Sequence, residues 1–194
     1  MIERVGRLLF RLRSWTAVPL VLAFLVLARP RPTLIAAAIP VLLLGEALRI
    51  ASLRYLGASA RGMKLRADAL ATGGPYRYLR HPIYVGNALL VAGILLAGGA
   101  AHPVFVAVVA CAVALQYGFI AASEDSFLAE TFPEEFARYR LAVRRFVPLR
   151  APYAWPSAAR RSLGEVLRAE FRTLHTIALL LVFVVFKSVL AARA

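Results

Sequence analysis

The sequence predicts an all-α, polytopic membrane protein with about five transmembrane helices. The chain has 194 residues, of which 61% are hydrophobic, and its mean hydropathy is +0.71. Charged residues are few, and they cluster between long apolar runs. The longest run, residues 81–123, contains no Asp, Glu, Lys or Arg. These patterns are typical of helices that cross a bilayer, and they fit a single membrane domain over residues 1–194.

Two helices are predicted before the first polar segment. Residues 1–13 are basic and residues 14–28 carry no charge, which predicts a short first transmembrane helix. A second helix follows at about 33–53 and contains Glu46 and Arg49, which lie three residues apart on one face. Ionisable groups at membrane depth indicate a functional site, and the alternative is that these two side chains pair with each other near the helix end.

The long charge-free run predicts a helical hairpin. As one helix, residues 81–123 would measure roughly 65 Å, about twice a hydrocarbon core of about 30 Å. The chain must therefore fold back, and the sequence GGAAHP at 98–103 marks the turn. We expect helices three and four at about 82–96 and 103–123, packed as a tight hairpin.

The last third of the chain becomes charged and aromatic. Segment 124–148 predicts two helical stretches separated by Pro133. After a linker at 151–156, residues 157–173 have the pattern of an amphipathic helix at the membrane interface. A fifth transmembrane helix is expected at about 174–192, with Lys187 close enough to its end to snorkel.

The distribution of charge predicts the orientation. Basic residues concentrate at the N-terminus, in 54–82 and in 124–173, whereas the turns at 29–32 and 97–103 carry few. The positive-inside rule then places the N-terminus and both polar segments in the cytoplasm, with the chain in the cell (inner) membrane. We attribute the net charge of +14 to this placement and to anionic lipid, and we expect no nucleic-acid partner.

Two polar segments flank the predicted hairpin on its cytoplasmic side, and we expect them to meet. The first, GGPYRYLRHPIYVG at 73–86, supplies cations and hydroxyls, and the second opens with Glu124 and Asp125. Pro82 suits the first turn of helix three, whose unpaired N–H groups could hold a carboxylate. The acidic pair opposite His81 is a candidate for binding an ammonium group or a cationic cofactor. The single cysteine, Cys111, gives no metal-binding spacing, and we expect no metal.

These two segments resemble the superfamily that contains isoprenylcysteine carboxyl methyltransferases and phospholipid N-methyltransferases. The resemblance covers roughly residues 55–150, within a methyltransferase-like core of about 33–150. Its first motif is Gly74, Pro75 and Tyr76 followed by Arg80 to Gly86. Its second motif comprises Glu124, Asp125, Leu128, Phe132, Glu134, Glu135, Tyr139, Arg145, Phe146 and Pro148.

The resemblance implies a methyltransferase that uses S-adenosylmethionine. It implies a cytoplasmic-side pocket built from the helix 2–3 loop and the segment after helix 4. The cofactor-binding residues that it implies are Tyr76, Arg80, His81, Tyr84, Gly86, Glu124, Tyr139, Arg144 and Phe146. The catalytic residues that it implies are Arg80, Glu124, Asp125 and Arg145. In this scheme Arg80, His81 and Tyr84 meet the cofactor carboxylate, and Glu124 meets its ammonium group.

The acceptor implied by the resemblance is a lipid-like or prenylated molecule that enters from the bilayer. A carboxylate acceptor would need an arginine to orient it, whereas an amine acceptor would need a base, for which Glu124, Asp125 and His81 are candidates. Ala142 stands where isoprenylcysteine enzymes tend to carry a basic residue. Unless Arg140, Arg144 or Arg145 supplies that charge, this favours an amine or another small lipid-like acceptor. Two alternatives remain, an NAD(P)H-dependent membrane reductase of similar architecture and a non-catalytic lipid-binding membrane protein.

Overall fold

The computed structural model describes residues 2–56, 69–99, 102–154 and 160–193. Within these ranges the chain forms six α-helices, one 3₁₀ turn at Gly74–Arg77, and no strands. The helices are α1 (Ile2–Leu27), α2 (Pro32–Leu53), α3 (Pro82–Ala97), α4 (Pro103–Thr131), α5 (Pro133–Ala142) and α6 (Leu163–Ala191). The prediction of an all-α protein is therefore confirmed for the described residues.

Local sequence signals set where most helices begin. Proline occupies the first position of α2, α3, α4 and α5, where its fixed φ suits a helix and its missing N–H leaves no bond unmade. α6 begins instead at a capping box. The Glu165 N–H donates to Ser162 Oγ at 3.3 Å, and the Ser162 N–H donates to the Glu165 carboxylate at 2.9 Å.

The apolar helices differ in length. α2, α4 and α6 are each long and apolar enough to cross a membrane. The apolar part of α1, Trp15–Leu27, and the 16-residue α3 are shorter. At about 1.5 Å per residue, α3 measures about 24 Å, less than a hydrocarbon core of about 30 Å. All five predicted apolar helices are present, and three of those described have the length of a full span.

Three predicted boundaries are wrong. α1 begins at Ile2, within the basic segment, rather than at residue 14. α4 continues beyond residue 123 to Thr131, because no helix breaker precedes Pro133. The predicted amphipathic helix and fifth transmembrane helix are one continuous helix, α6, because no Pro or Gly interrupts residues 165–191. Residues 155–159, at the start of the predicted amphipathic stretch, lie outside the described residues.

The prediction that helices three and four form a tight hairpin is also wrong. α3 packs mainly against α2, and α4 packs mainly against α1, while α3 and α4 make little contact with each other. Glycines permit the close α2–α3 approach. A Cβ on Gly86 would lie 2.9 Å from the Gly45 carbonyl oxygen, and one on Gly93 would lie 2.6 Å from Leu42 Cδ2. Gly99, with φ of +71°, supports the predicted turn after α3.

An apolar core closes the end of the bundle away from the polar segments. Its buried members come from α1, α2, α3 and α6 and from the residue after α1, and they are Phe24, Ala28, Ala38, Leu42, Leu90, Ala97 and Val184. Lys187 of α6 donates to the carbonyl oxygens of Leu25 and Val26, at 3.1 Å each. Lys187 therefore caps the last turn of α1. Its snorkelling to the membrane interface stays a prediction.

Candidate functional site

The two polar segments lie side by side, as the sequence predicts. Two backbone hydrogen bonds join them, Arg80 N–H to Arg144 O at 2.9 Å and His81 N–H to Arg145 O at 3.1 Å. Just beyond the second segment, Leu149 N–H donates to Tyr78 O and Tyr153 N–H to Arg77 O, at 2.8 Å each. The segment that follows α5 therefore runs along the loop before α3. This pairing brings the side chains of both motifs to the first turn of α3.

Asp125 accepts hydrogen bonds from three cationic side chains. Arg80 Nη1 donates to its Oδ2 at 3.1 Å, and Arg145 donates to the same oxygen from Nε at 2.9 Å and Nη2 at 2.7 Å. His81 Nε2 lies 2.9 Å from the other oxygen, Oδ1. Asp125 reaches this position because α4 extends beyond residue 123. The buried carboxylate thus ties together both polar segments and α4.

Glu124 lies beside Asp125 and contacts α3. Tyr84 Oη donates to Glu124 Oε1 at 2.5 Å, and His81 Nδ1 lies 3.3 Å from Glu124 Oε2. Both ring nitrogens of His81 therefore face a carboxylate oxygen, an arrangement that the doubly protonated ring satisfies by donating from both nitrogens. Burial lowers the pKa of His81, but the hydrogen bonds and charges of Asp125 and Glu124 outweigh burial and raise that pKa overall.

Aromatic rings line the site around His81. The Tyr84 ring stacks on Tyr117 of α4 with centroids 5.1 Å apart, and its centroid lies 5.8 Å from that of His81. Phe146, which is 36% exposed, lies 6.0 Å from His81 on the other side. Tyr117 is missing from the sequence-based prediction. Its position seven residues before Glu124, on the same face of α4, is the signal that could have identified it.

Arg80 has a second, unused hydrogen-bond donor. Its guanidinium lies over the Phe136 ring, 5.8 Å from the centroid, and its Nη1 binds Asp125. Its Nε is buried and has no hydrogen-bond partner among the residues that the structure describes. A buried, unpaired donor is costly, so this atom is suited to an acceptor that arrives with a ligand.

Tyr76 and Tyr139 are buried beneath the site and are joined by a hydrogen bond. Both side chains are buried, and Tyr139 Oη donates to the backbone oxygen of Tyr76 at 2.6 Å. Burial, and then the charge of Glu124, raise the pKa of Tyr76 well above its usual value, and burial likewise raises the pKa of Tyr139. Both hydroxyls are therefore neutral. Tyr139 belongs to a small core with Leu70, Phe136 and Val143.

Two predicted cofactor residues lie apart from the acidic pair. The Arg144 side chain is exposed, and only its backbone oxygen joins the two segments. Gly86 faces α2, where a Cβ would lie 2.6 Å from Arg49 Cγ. The structure thus gives Gly86 a role in helix packing. Cofactor binding by Arg144 and Gly86 stays a prediction.

A second polar cluster lies between α2, α3 and α6. The predicted pair is present, with Arg49 Nε 3.6 Å from Glu46 Oε2. Arg49 also donates to Asn87 Oδ1, to Glu170 Oε2 and, at 3.2 Å, to Thr173 Oγ1. The sequence-based prediction did not include Asn87, Glu170 or Thr173. Glu170 follows Val166 by four residues on a buried face of α6, which is the available signal for a buried ionisable group.

Comparison with protein families gives one match. The family described as phospholipid methyltransferase matches residues 33–135, more than half of the chain. The matched stretch begins with α2 and ends at the start of α5, so it includes the first polar motif, α3, α4 and the acidic pair Glu124–Asp125. It excludes α1, the segment that carries Arg145, and α6.

Two curated relatives are similar to part of the chain. The cobalt-zinc-cadmium resistance protein CzcN of Cupriavidus metallidurans is 45% identical over 82 residues, which are 42% of this chain and 36% of that protein. The nickel-cobalt-cadmium resistance protein NccN of Alcaligenes xylosoxydans xylosoxydans is 36% identical over 84 residues, 43% of this chain and 38% of that protein. The alignments thus span just over a third of each relative. No solved structure matches the chain significantly.

Proposed function

This chain belongs to the phospholipid methyltransferase family, and we propose that it is a membrane enzyme that transfers a methyl group from S-adenosylmethionine to a lipid-like acceptor. The observation that carries this proposal is the convergence of Arg80, His81 and Tyr84 on Glu124 and Asp125 at the first turn of α3. This arrangement presents both signs of charge within one small site, as a zwitterionic ligand requires.

The amino-acid end of S-adenosylmethionine carries one ammonium group and one carboxylate, and the site offers a partner for each. Asp125 is already bound by three cations, whereas the Glu124 side chain is 24% exposed and is the carboxylate that an ammonium group can reach. The buried Arg80 Nε lacks a partner among the described residues and suits a carboxylate. The residues present therefore fit the cofactor that the family implies.

When bound, S-adenosylmethionine supplies a methyl group on a positively charged sulfur, which is an activated leaving group. The protein's contribution is then mainly to hold the acceptor in line and to exclude water. The rings of Tyr84, Tyr117 and Phe146 supply apolar, electron-rich faces around His81, which exclude water and attract a cationic centre. The exposed fraction of Phe146 leaves this ring available to cover a ligand.

We propose that the acceptor is an amine carried by a lipid from the bilayer. Arg145 binds Asp125, and the unpaired Nε of Arg80 is taken by the cofactor carboxylate in this proposal, so neither of these two arginines is left to orient a carboxylate acceptor. An amine must lose a proton to a base. Both nitrogens of His81 face carboxylates and Asp125 is engaged by three donors, so Glu124, the more exposed of the two carboxylates, is the candidate base in addition to its role towards the cofactor ammonium group. The concentration of basic residues near this site supports a cytoplasmic orientation.

The names of the two relatives connect those proteins with metal resistance. Among the residues that the structure describes, no group of three or more His, Cys, Asp or Glu side chains could hold a metal ion. The test compares the growth of cells that contain the protein with the growth of cells that lack it, in media containing cobalt, zinc or cadmium. If cells without the chain are sensitive to these metals, and wild-type protein but not Arg80→Ala restores their resistance, methyl transfer is connected with metal resistance. Equal growth would restrict that role to the relatives.

The direct test of the activity uses labelled methyl donor. Purified protein is incubated with S-adenosylmethionine labelled in the methyl group and with native membrane lipids, and the lipids are analysed by mass spectrometry. We expect label on a lipid amine, greatly reduced for Arg80→Ala and unchanged for Arg138→Ala, whose side chain is exposed on α5. Folded wild-type protein that labels no lipid would contradict the proposal, and label on a carboxylate would contradict its amine form.

A further inference from the structure

We infer that Glu170 of α6 is a positioning residue for the cofactor site and that it acts through Arg49 and α3. The inference rests on the proposed function. α6 lies outside the part of the chain that the family matches, residues 33–135. The contacts of Glu170 make α6 part of the structure that holds the site.

Arg49 connects three helices at one level of the bundle. It is buried on α2, and its guanidinium donates to Asn87 of α3 and to Glu170 and Thr173 of α6. The Glu170 side chain is 1% exposed, so this ion pair is shielded from solvent. Breaking a buried pair by removing one partner is strongly destabilising, because it leaves an uncompensated charge. Arg49 thus fixes α6 against the α2–α3 pair.

The cluster lies one helical turn from the candidate site. Asn87 follows Tyr84 by three residues on α3, so the two side chains are neighbours on the helix surface, with a rise of about 4.5 Å between them. Gly86 lies between them in sequence and rests on the Arg49 stem. The contacts of Arg49 with Asn87 and with Gly86 therefore fix the rotation of α3 about its axis. That rotation decides whether Tyr84 reaches Glu124, to which it donates at 2.5 Å.

A competing carboxylate explains why Arg49 depends on Glu170. Glu46 lies on the same helix as Arg49, 3.6 Å from its Nε, and both Glu46 oxygens are buried without a hydrogen-bond partner in the described part of the chain. If the charge of Glu170 is removed, Glu46 becomes the stronger attraction for the guanidinium. Arg49 would then turn towards Glu46 and release Asn87. Tyr84 would lose the support of its neighbouring turn.

The test is a double-mutant cycle on binding of S-adenosylhomocysteine to the full-length protein in detergent. We expect Glu170→Gln to weaken binding about tenfold in the wild-type background and less than about twofold in a Tyr84→Phe background, because both changes disable the same contact. The matched control is Arg172→Gln, an exposed residue on α6, which should bind like wild type. If Glu170→Gln does not fold, Thr173→Val removes one contact of Arg49 and should show the same coupling at about threefold.

The outcomes separate this inference from the proposed function. Wild-type protein that fails to bind S-adenosylhomocysteine overturns both. Wild-type binding together with unchanged affinity of Glu170→Gln overturns the positioning role alone. Equal losses in the wild-type and Tyr84→Phe backgrounds also overturn it, because a purely structural weakening would be additive. A loss that disappears in the Tyr84→Phe background supports it.

Discussion

Tyr84 of α3 donates a 2.5 Å hydrogen bond to Glu124 of α4, in a region where these two helices otherwise make little contact. α3 belongs with α2, and α4 belongs with α1. The polar contacts of His81, Tyr84 and the acidic pair therefore join the α2–α3 pair to α4 at this end of the molecule. The site depends on these contacts, and the following predictions test them one at a time.

Tyr84→Phe removes the hydrogen bond to Glu124 and keeps the ring. A hydrogen bond to a charged group contributes about 1.5–3 kcal/mol, so affinity for S-adenosylhomocysteine should fall about ten- to hundredfold. Calorimetric titration measures this change. The matched control is Tyr78→Phe, because Tyr78 is 38% exposed in the loop before α3 and its variant should bind normally. Equal affinities of Tyr84→Phe and wild type would show that the hydroxyl does not position Glu124.

Asp125→Asn leaves three cationic side chains without their shared carboxylate. Removing one partner from such a buried network costs about 3–5 kcal/mol, so the thermal midpoint in detergent should fall by roughly 6–20 °C. The control is Glu134→Gln, whose side chain is 87% exposed beside Arg138 and should leave the midpoint unchanged. A midpoint for Asp125→Asn within a degree of wild type would contradict the network described above.

Protonated His81 makes the stability of the protein depend on pH. The folded-state pKa of His81 lies above its usual 6.5, so its contribution is complete below about pH 6.5 and is lost as pH rises through the folded pKa. We expect wild type to be more stable than His81→Gln at about pH 6, with a difference that shrinks at alkaline pH. Thermal midpoints of both proteins across this range provide the measurement. A difference that grows with pH would mean that His81 is neutral.

Gly86→Ala tests the close approach of α2 and α3. The added Cβ would lie 2.6 Å from Arg49 Cγ and 2.9 Å from the Gly45 carbonyl oxygen, which is backbone and cannot move alone. Overpacking of this kind costs about 1–3 kcal/mol. Gly118→Ala on α4 is the control, because a Cβ there meets no atom within 4 Å and a helical alanine is favoured over glycine. Thermal midpoints in detergent measure the difference, and equal midpoints for Gly86→Ala and Gly118→Ala would contradict this packing.

The sequence predicts the positions of the apolar helices and the meeting of the two polar motifs. Pro32, Pro82, Pro103 and Pro133 specify helix starts locally. Charge placement predicts that both motifs lie at the same end of the helices, and the backbone hydrogen bonds between them agree with this prediction. Helix pairing could not be predicted in this way. Helix pairing depends on which glycines face another helix. Only the three-dimensional structure shows that Gly45 and Gly86 face each other across α2 and α3.

The contacts of α6 could not be predicted for a related reason. An interfacial amphipathic helix and a transmembrane helix share the same 3.6-residue period, so the sequence does not show that residues 163–191 form a single helix. Glu170 is recognisable as a buried ionisable group by its position after Val166. Its partner Arg49 lies on α2, 121 residues away, and no local pattern connects them.

The central claim is that Arg80, His81, Tyr84 and Glu124 form a binding site for the amino-acid end of S-adenosylmethionine. Calorimetric titration of the detergent-purified protein with S-adenosylhomocysteine tests it most directly. We expect saturable binding by wild type and by Arg138→Ala, and loss of that binding in Arg80→Ala and Glu124→Gln. Absence of binding in folded wild-type protein, or undiminished binding in Arg80→Ala and Glu124→Gln, would contradict it.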